Sequence, residues 1–336
     1  MSAGSTIPAE RARRLLSLWT SRQYDTERLL ARCNISKDLL VSAQGRLTQA
    51  QFSSFFRSAA IVRNDESWGL CPHPIPIGTF GMVCRAAIAQ RTLGEVLRVG
   101  LANYRVVKPG FTGRLIVDGV AQARVALHDR IVDTDAQRQF HATFLFFLYS
   151  LMCWVADRRI PLRAVHFRSP VSEAKEELSR AYRAPIFYNA ACTELVFDAR
   201  WLRLANVQDL ESVNDLLQNS PGNLAVAFDD KTDIAERVRR YLRRNIAKPN
   251  SLESTAAHLR LSVATTRRRL SEDGTSFQRL KDDVRRDMSI NLLVGTNMRM
   301  EDVASCVGFL EVSAFHRAFR RWTGSAPSDY RGRCAE

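Results

Sequence analysis

The sequence predicts an α+β domain followed by an all-α domain, the latter built from two helix-turn-helix units joined by a linker helix. Three observations carry this. Apolar residues recur at helical spacing near the N-terminus and are then replaced, between residues 114 and 197, by short β-type runs bounded by turn residues. From Asp233 onward every apolar pattern is helical. Within that last segment one helix–turn–helix outline occurs twice, at an offset of 48 residues that becomes 49 after the turn.

The elements follow in order. Leu15, Leu16 and Trp19, then Leu29, Leu30 and Cys33, then Phe52, Phe55, Phe56 and Ala59 mark helices. The segment CPHPIPIGTFG (71–81) is a loop because its prolines and glycines break both kinds of ladder. Thr92 caps a helix through Leu93, Val96, Leu97, Leu101 and Tyr104, with Glu95 as its capping-box partner. Strands over 114–117 and 121–127 flank Asp118-Gly119, a hairpin signal. A buried helix follows over about 136–157. Its apolar stretch, Ala142 to Ala156, falls short of the ~20 residues that a spanning helix needs. Short strands at 164–167, 185–188 and 194–197, with a helix over 173–182, complete an α+β domain of residues 1–205. Residues 206–232 are polar, contain Asn219-Ser220-Pro221-Gly222, and read as a linker before the domain of residues 233–336.

In the last domain Asp233 caps a helix with Arg237, Arg239, Arg240, Arg243 and Arg244 on its polar face. Ser251 caps Leu252–Leu259. The turn Arg260-Leu261-Ser262 follows, and Ser262 caps a second helix from Val263 to about Glu272. Thr275, with Gln278 as partner, starts a long helix with one apolar stripe, Phe277, Leu280, Val284, Met288 and Leu292, ended by Gly295. At 1.5 Å per residue it is long enough to hold its flanking units roughly one DNA turn apart. Met300–Val307, Gly308 and a helix from about Ser313 then repeat the outline, with Arg317 matching Arg268 and Phe319 matching Leu270.

Charge points to a polyanionic partner. The chain carries 49 Lys and Arg against 35 Asp and Glu, a net charge of +14. From Lys231 to Glu336 there are 21 basic and 13 acidic residues, against 28 and 22 in the longer remainder. The seven cysteines are scattered and form no C-x-x-C pair, which fits reduced thiols in a cytoplasm. No H-E-x-x-H or Cys/His cluster argues for a metal, and no cofactor is expected. An enzymatic reading finds only the spacing Ser172-x-x-Lys175, without the companion motifs that such chemistry needs.

The residues Val307-Gly308-Phe309, Ser313-Ala314-Phe315-His316-Arg317-Ala318-Phe319-Arg320-Arg321-Trp322-Thr323-Gly324 and Ala326-Pro327-Ser328-Asp329-Tyr330-Arg331 carry a resemblance to the AraC/XylS family of bacterial transcription regulators. It covers about 233–333, and every fixed position of the family's ending is present. Gly78-Thr79-Phe80-Gly81, Thr92-Leu93-Gly94-Glu95-Val96-Leu97, Val165-His166-Phe167 and Leu195-Val196-Phe197-Asp198 resemble the large arabinose-binding-type sensing domain of one branch. That branch is found in regulators of amino-acid and amine catabolism and of virulence.

The resemblance implies a ligand-responsive activator that binds double-stranded promoter DNA, contacts RNA polymerase and forms a homodimer through the N-terminal domain. Each recognition helix then enters a major groove. Ala264, Arg267 and Arg268 are the base-edge candidates of the first, and Glu311, Val312, Ser313 and Arg317 those of the second. Arginine pairs bidentately with guanine, at ~1–3 kcal/mol of discrimination. Arg269, Arg320 and Arg321 suit phosphates. The competing role for Arg268 or Arg317 is a structural pair with a nearby carboxylate. Phe309, Phe315, Phe319 and Trp322 sit at core spacing. Trp68, Phe80, Arg105, His141, His166 and Arg168 are the effector-pocket candidates. Arg260 stands where the family usually has Gly, Thr266 where a core Leu is usual, and Arg299 where Ser or Thr caps a helix. Together these predict a less tightly packed first unit. The alternative for the N-terminal domain is a module that only dimerises and senses no small molecule.

Overall fold

The computed structural model describes residues 4–20, 25–108, 110–119, 121–129, 135–171, 175–226 and 233–331. The chain divides into two compact units, Ser53–Phe228 in one and Ser2–Phe52 with Asp229–Glu336 in the other. Along the chain, β1 (Ile7–Pro8), α1 (Glu10–Thr20), α2 (Thr26–Arg32), α3 (Lys37–Val41) and β2 (Arg46–Leu47) lead into α4 (Gln49–Arg63). Then come α5 (Thr79–Ile88), α6 (Leu93–Val106), β3 (Phe111–Asp118), β4 (Gln122–Asp129) and α7 (Asp135–Val155). β5 (Leu162–His166), α8 (Lys175–Tyr182), β6 (Ile186–Phe187), β7 (Thr193–Asp198), a 3₁₀ turn (Ala199–Arg203) and α9 (Leu210–Asn219) follow. The last helices are α10 (Ile234–Asn245), α11 (Leu252–His258), α12 (Val263–Glu272), α13 (Phe277–Gly295), α14 (Met300–Cys306), α15 (Val312–Thr323) and α16 (Pro327–Tyr330).

The unit Ser53–Phe228 is α+β. Its sheet runs β3-β4-β7-β5-β6, antiparallel except for the β5–β6 pair. The β3–β4 hairpin turns at Asp118-Gly119, with Gly119 at a φ of +64° that glycine adopts at no steric cost. Val125, Leu127, Leu195 and Phe197 of the central strands are fully buried. Thr92 and Glu95 form the expected capping box of α6. α7 buries Leu145, Phe146, Tyr149, Met152 and Cys153. No helix among the described residues is long and apolar enough to cross a membrane.

The expected linker, 206–232, has a different character. α9 is capped by Asp209 with Ser212 as reciprocal partner, and its Val213 and Leu216 are buried, as are Leu224, Ala225 and Val226. Three or four apolar residues on one helical face suffice to dock this segment, although its average composition is polar. Residues 227–232 lie outside the described residues.

The other unit combines the C-terminal helices with the first fifty residues, which the sequence reading assigns to the N-terminal domain. Periodicity cannot see the contacts responsible. Leu39 of α3 lies in one core with Ile290, Leu293, Val303, Val307, Phe315, Phe319 and Tyr330. Ser42 donates to the Thr323 carbonyl at 2.9 Å, and the Arg46 N–H donates to the Tyr330 hydroxyl at 3.1 Å. The Thr6 hydroxyl donates to Asp287 Oδ1 at 2.6 Å. A second core gathers Val238 and Leu242 of α10, Leu259, Leu270, and Leu280 and Val284 of α13.

The linker helix α13 differs in two respects from the sequence expectation. Its N-cap is Ser276, not Thr275, with Ser276 Oγ accepting from the Arg279 N–H. Its apolar stripe divides. Leu280 and Val284 enter the α10 core, whereas Ile290 and Leu293 enter the other, and Met288 touches both. Steps of four residues advance 40° too far around a 3.6-residue helix, so a stripe at that spacing winds from one neighbour to another.

Candidate nucleic-acid interface and ligand cavity

The two helix-turn-helix units are built by the same hydrogen bonds. After α11 the Arg260 N–H donates to the Ala257 carbonyl and the Leu261 N–H to that of Ala256, at 3.0 and 2.9 Å. After α14 the Gly308 N–H donates to Ser305 and the Phe309 N–H to Ala304, also at 3.0 and 2.9 Å. These are left-handed helix ends in which an apolar residue closes the turn. Arg260 has φ +56° and Gly308 φ +79°. Ser262 then caps α12, its Oγ accepting from the Thr265 N–H at 3.0 Å.

On α12, Thr266 and Leu270 are buried, while Ala264, Arg267 and Arg268 form an exposed face and Arg269 is exposed beside it. Thr266 replaces an apolar core residue at no hydrogen-bonding cost, since its hydroxyl donates to the Ser262 carbonyl at 3.0 Å. Arg268 makes a 2.6 Å pair with Glu272, one turn on. Both are well exposed, and such a pair is worth only about 0–1 kcal/mol, so a phosphate or guanine edge can displace it.

On α15, Phe315 and Phe319 are fully buried, and Phe309 and Trp322 pack against the same core. Ser313, Arg317, Arg320 and Arg321 are exposed at i, i+4, i+7 and i+8, one face of the helix. No ion pair holds Arg317 among the described residues. Glu311 is exposed at the N-cap. Val312 is half-buried and packs against the core, which makes it a support for the helix start as much as part of its reading face. The 19 residues of α13 give a rod of ~28 Å between the two units.

The unit Ser53–Phe228 contains a cavity of about 490 Å³ walled by α4, α5, α6, α7, α9 and the loop after α4. Asp65 holds that loop, accepting from the N–H groups of Ser67, Gly69 and Ile75 at 2.7–2.8 Å. The Glu66 carboxylate accepts from the N–H groups of Gly78 and Phe80 at 2.7 and 2.8 Å, closing the start of α5. Burial raises the Glu66 pKa and outweighs these two bonds.

Of the pocket candidates read from sequence, Trp68 and Phe80 line this cavity. Trp68 is fixed by its Nε1–H, which donates to the Phe56 carbonyl at 3.0 Å. Arg105, His141, His166 and Arg168 are absent from its wall. Arg105 is exposed in the last turn of α6. His141 is buried with its ring edge against Phe111. His166 pairs with Glu194 at 3.2 Å and stacks on Phe187, the ordinary role for a strand histidine. Arg168 lies on the sheet, its N–H donating to Thr193. Sequence reasoning missed Glu66, Gly100 and Tyr104, and the α7 face Phe140, Phe144, Phe147, Leu148 and Leu151. That face was legible as an i, i+4, i+7, i+8, i+11 stripe opposite the one that α7 turns to the core. The Ser172–Lys175 spacing has three of its four residues outside the described residues. Among the described residues no cluster of His, Cys, Asp or Glu could hold a metal.

A helix-turn-helix pair with exposed arginine faces, alongside a hollow α+β unit, defines a two-unit transcription regulator. Residues 24–206 match the N-terminal arabinose-binding domain of AraC transcription regulators, and residues 255–333 match a helix-turn-helix domain. The chain belongs to the AraC family of transcription regulators. It is 26% identical to the ornithine utilization regulator of Pseudomonas aeruginosa, over 97% of this chain and 96% of that one. It is 24% identical to the transcriptional regulator VqsM of the same organism, over 76% and 80%. A crystal structure of the regulator CdpR, also from Pseudomonas aeruginosa, aligns over 82% of this chain and 96% of that chain at 19% identity, with a TM-score of 0.33.

Proposed function

We propose that the protein activates a metabolic or virulence operon by reading one promoter sequence with α12 and α15, and that a small molecule in the cavity of the other unit sets its activity. The observation that carries this reading is the pair of matched turns, each delivering a helix with an exposed arginine face. Arg267, Arg268 and Arg317 contact base edges. Arg269, Arg320 and Arg321 contact phosphates. The protein acts in the cytoplasm as a homodimer and recruits RNA polymerase.

The test is a salt titration of binding to genomic fragments, beginning with those upstream of the neighbouring genes. A complex that survives competitor DNA, with Arg268→Ala and Arg317→Ala changing which fragment wins, supports operator reading. Each arginine accounts for about 1–3 kcal/mol of discrimination. Equal binding to all fragments with steep loss in salt removes the specific-operator reading. The cavity favours an effector over a unit that only dimerises, since wall residues turned to an empty space forgo packing.

A further inference from the structure

We infer that the effector is a predominantly apolar, uncharged molecule with at most one hydrogen-bonding group, seated beside Tyr104 in the cavity of the unit Ser53–Phe228. This rests on reading that cavity as the effector site.

The argument is an account of the polar groups in the wall. Seven lining residues carry a polar or charged side chain, and five of them make side-chain hydrogen bonds within the protein. Arg57 donates to the carbonyls of Ser53 and Gln218, and Arg85 donates to Asn214 Oδ1. Both Glu66 oxygens accept backbone N–H groups. Trp68 Nε1–H donates to Phe56, and Ser220 Oγ donates to Leu216. The Cys84 thiol is pushed up to about 12 by burial, so it is a neutral, weak donor. The Tyr104 hydroxyl remains. Its ring packs edge-on against Phe144, and the hydroxyl has no hydrogen-bond partner among the described residues. Burial holds it far above its ordinary pKa, as a neutral donor.

A sugar would bring several hydroxyls, and a zwitterionic amino acid two charges, into a site whose buried wall offers one unengaged hydroxyl, the further N–H groups of Arg57 and Arg85 lying on exposed side chains. Each would give up water for little in return. An apolar body loses nothing there and gains the aromatic and leucine wall of α7.

Two glycines fix the shape. Gly81 lines the cavity from the first turn of α5 and Gly100 from the interior of α6, where glycine is disfavoured. A Cβ at Gly100 would meet only Val83 and Ala87 side chains, at 3.7 and 4.0 Å. No backbone approach requires glycine there, so its effect is to keep the space open. Gly100 is therefore a specificity-determining position.

The test is a thermal-shift titration of the full chain with decan-1-ol, decanoate, decylamine, L-arabinose and L-ornithine. The expected result is a rise in Tm of a few degrees (roughly 2–4 °C) with decan-1-ol, smaller rises with the two charged ten-carbon probes, and none with arabinose or ornithine. Gly100→Leu fills the cavity and should abolish the decan-1-ol shift with the ligand-free Tm retained. If that variant does not fold, Tyr104→Phe serves, with decan-1-ol bound about 5–10-fold more weakly. A rise with ornithine or arabinose, no rise with decan-1-ol, or a decan-1-ol shift that survives both substitutions overturns the inference. The fragment titration without ligand runs in parallel. An operator complex sensitive to Arg317→Ala leaves the regulator reading standing if the ligand class fails. Loss of operator specificity with an intact decan-1-ol response does the reverse.

Discussion

The two helix-turn-helix units share a backbone plan but stabilise it by opposite means. The second has a dense core, with Val303, Ala304, Val307, Phe315 and Phe319 all nearly inaccessible, and a glycine at its turn. Its helix starts are bare, for neither Arg299 before α14 nor Glu311 before α15 makes a side-chain cap. The first unit has the caps. Ser251 and Ser254 form a capping box on α11, and Ser262 caps α12. Its core is less apolar, with Thr255 and Thr266 fully buried and hydrogen-bonded to the Ser251 and Ser262 carbonyls. It also turns through Arg260 at a positive φ. One fold can draw its stability from tertiary packing or from local hydrogen bonds. The units should accordingly respond differently to substitution.

The largest expected effect is in the second core. Phe315→Ala should cost about 3–5 kcal/mol in urea unfolding of the full chain, and Leu270→Ala in the first unit nearer 2–3 kcal/mol. Equal losses would break the contrast in packing.

The turns come next. A Cβ at Gly308 would lie 2.4 Å from the Ile246 carbonyl oxygen, and its φ is left-handed. Gly308→Ala should therefore cost about 2–3 kcal/mol. Arg260→Gly relaxes a left-handed non-glycine residue and should raise stability by about 0.5–1 kcal/mol. If it lowers stability instead, the arginine side chain is contributing a contact that its position does not suggest.

Caps follow. Ser262→Ala should cost about 1 kcal/mol, and Arg299→Ser should gain about 0.5–1 kcal/mol by supplying the absent cap. Both read out as shifts of the denaturation midpoint.

The smallest effect is a pH limb confined to the second half of α13. Burial acts to raise the Asp287 pKa, but the Arg286 and Arg46 guanidiniums and the Thr6 hydroxyl outweigh it and lower it below 3.8. A depressed carboxylate contributes stability that is present above its unfolded value and is lost as pH falls through the folded one. Acid titration of the wild type should show that loss below about pH 4, and Asp287→Asn should flatten it.

How much of this was legible differs by site. The interface candidates lie on two amphipathic helices, and their exposure follows from helical periodicity once Leu270, Phe315 and Phe319 face inward. Arg260, flagged as a departure from glycine, does sit where glycine would be unstrained. The cavity was half legible. Trp68 and Phe80 line it, but the polar residues chosen as anchors sit elsewhere, since an isolated His or Arg carries no periodicity to show which way it faces. Histidine 166 went to a sheet carboxylate and Arg105 to solvent.

Sequence alone determined what is settled within a turn of chain: the capping box at Thr92, the cap at Ser251, the hairpin at Asp118-Gly119, and the repeated turns with their arginine-bearing helices. Each depends on hydrogen bonds and side-chain spacing over five residues or fewer, so composition at those positions is sufficient. Only the tertiary structure decided that residues 2–52 complete the second core, that α9 docks rather than links, and that helices between Phe56 and Leu224 enclose a space beside Tyr104. Those outcomes depend on which apolar faces meet across hundreds of residues, and burial is non-directional, so no local pattern specifies the partner.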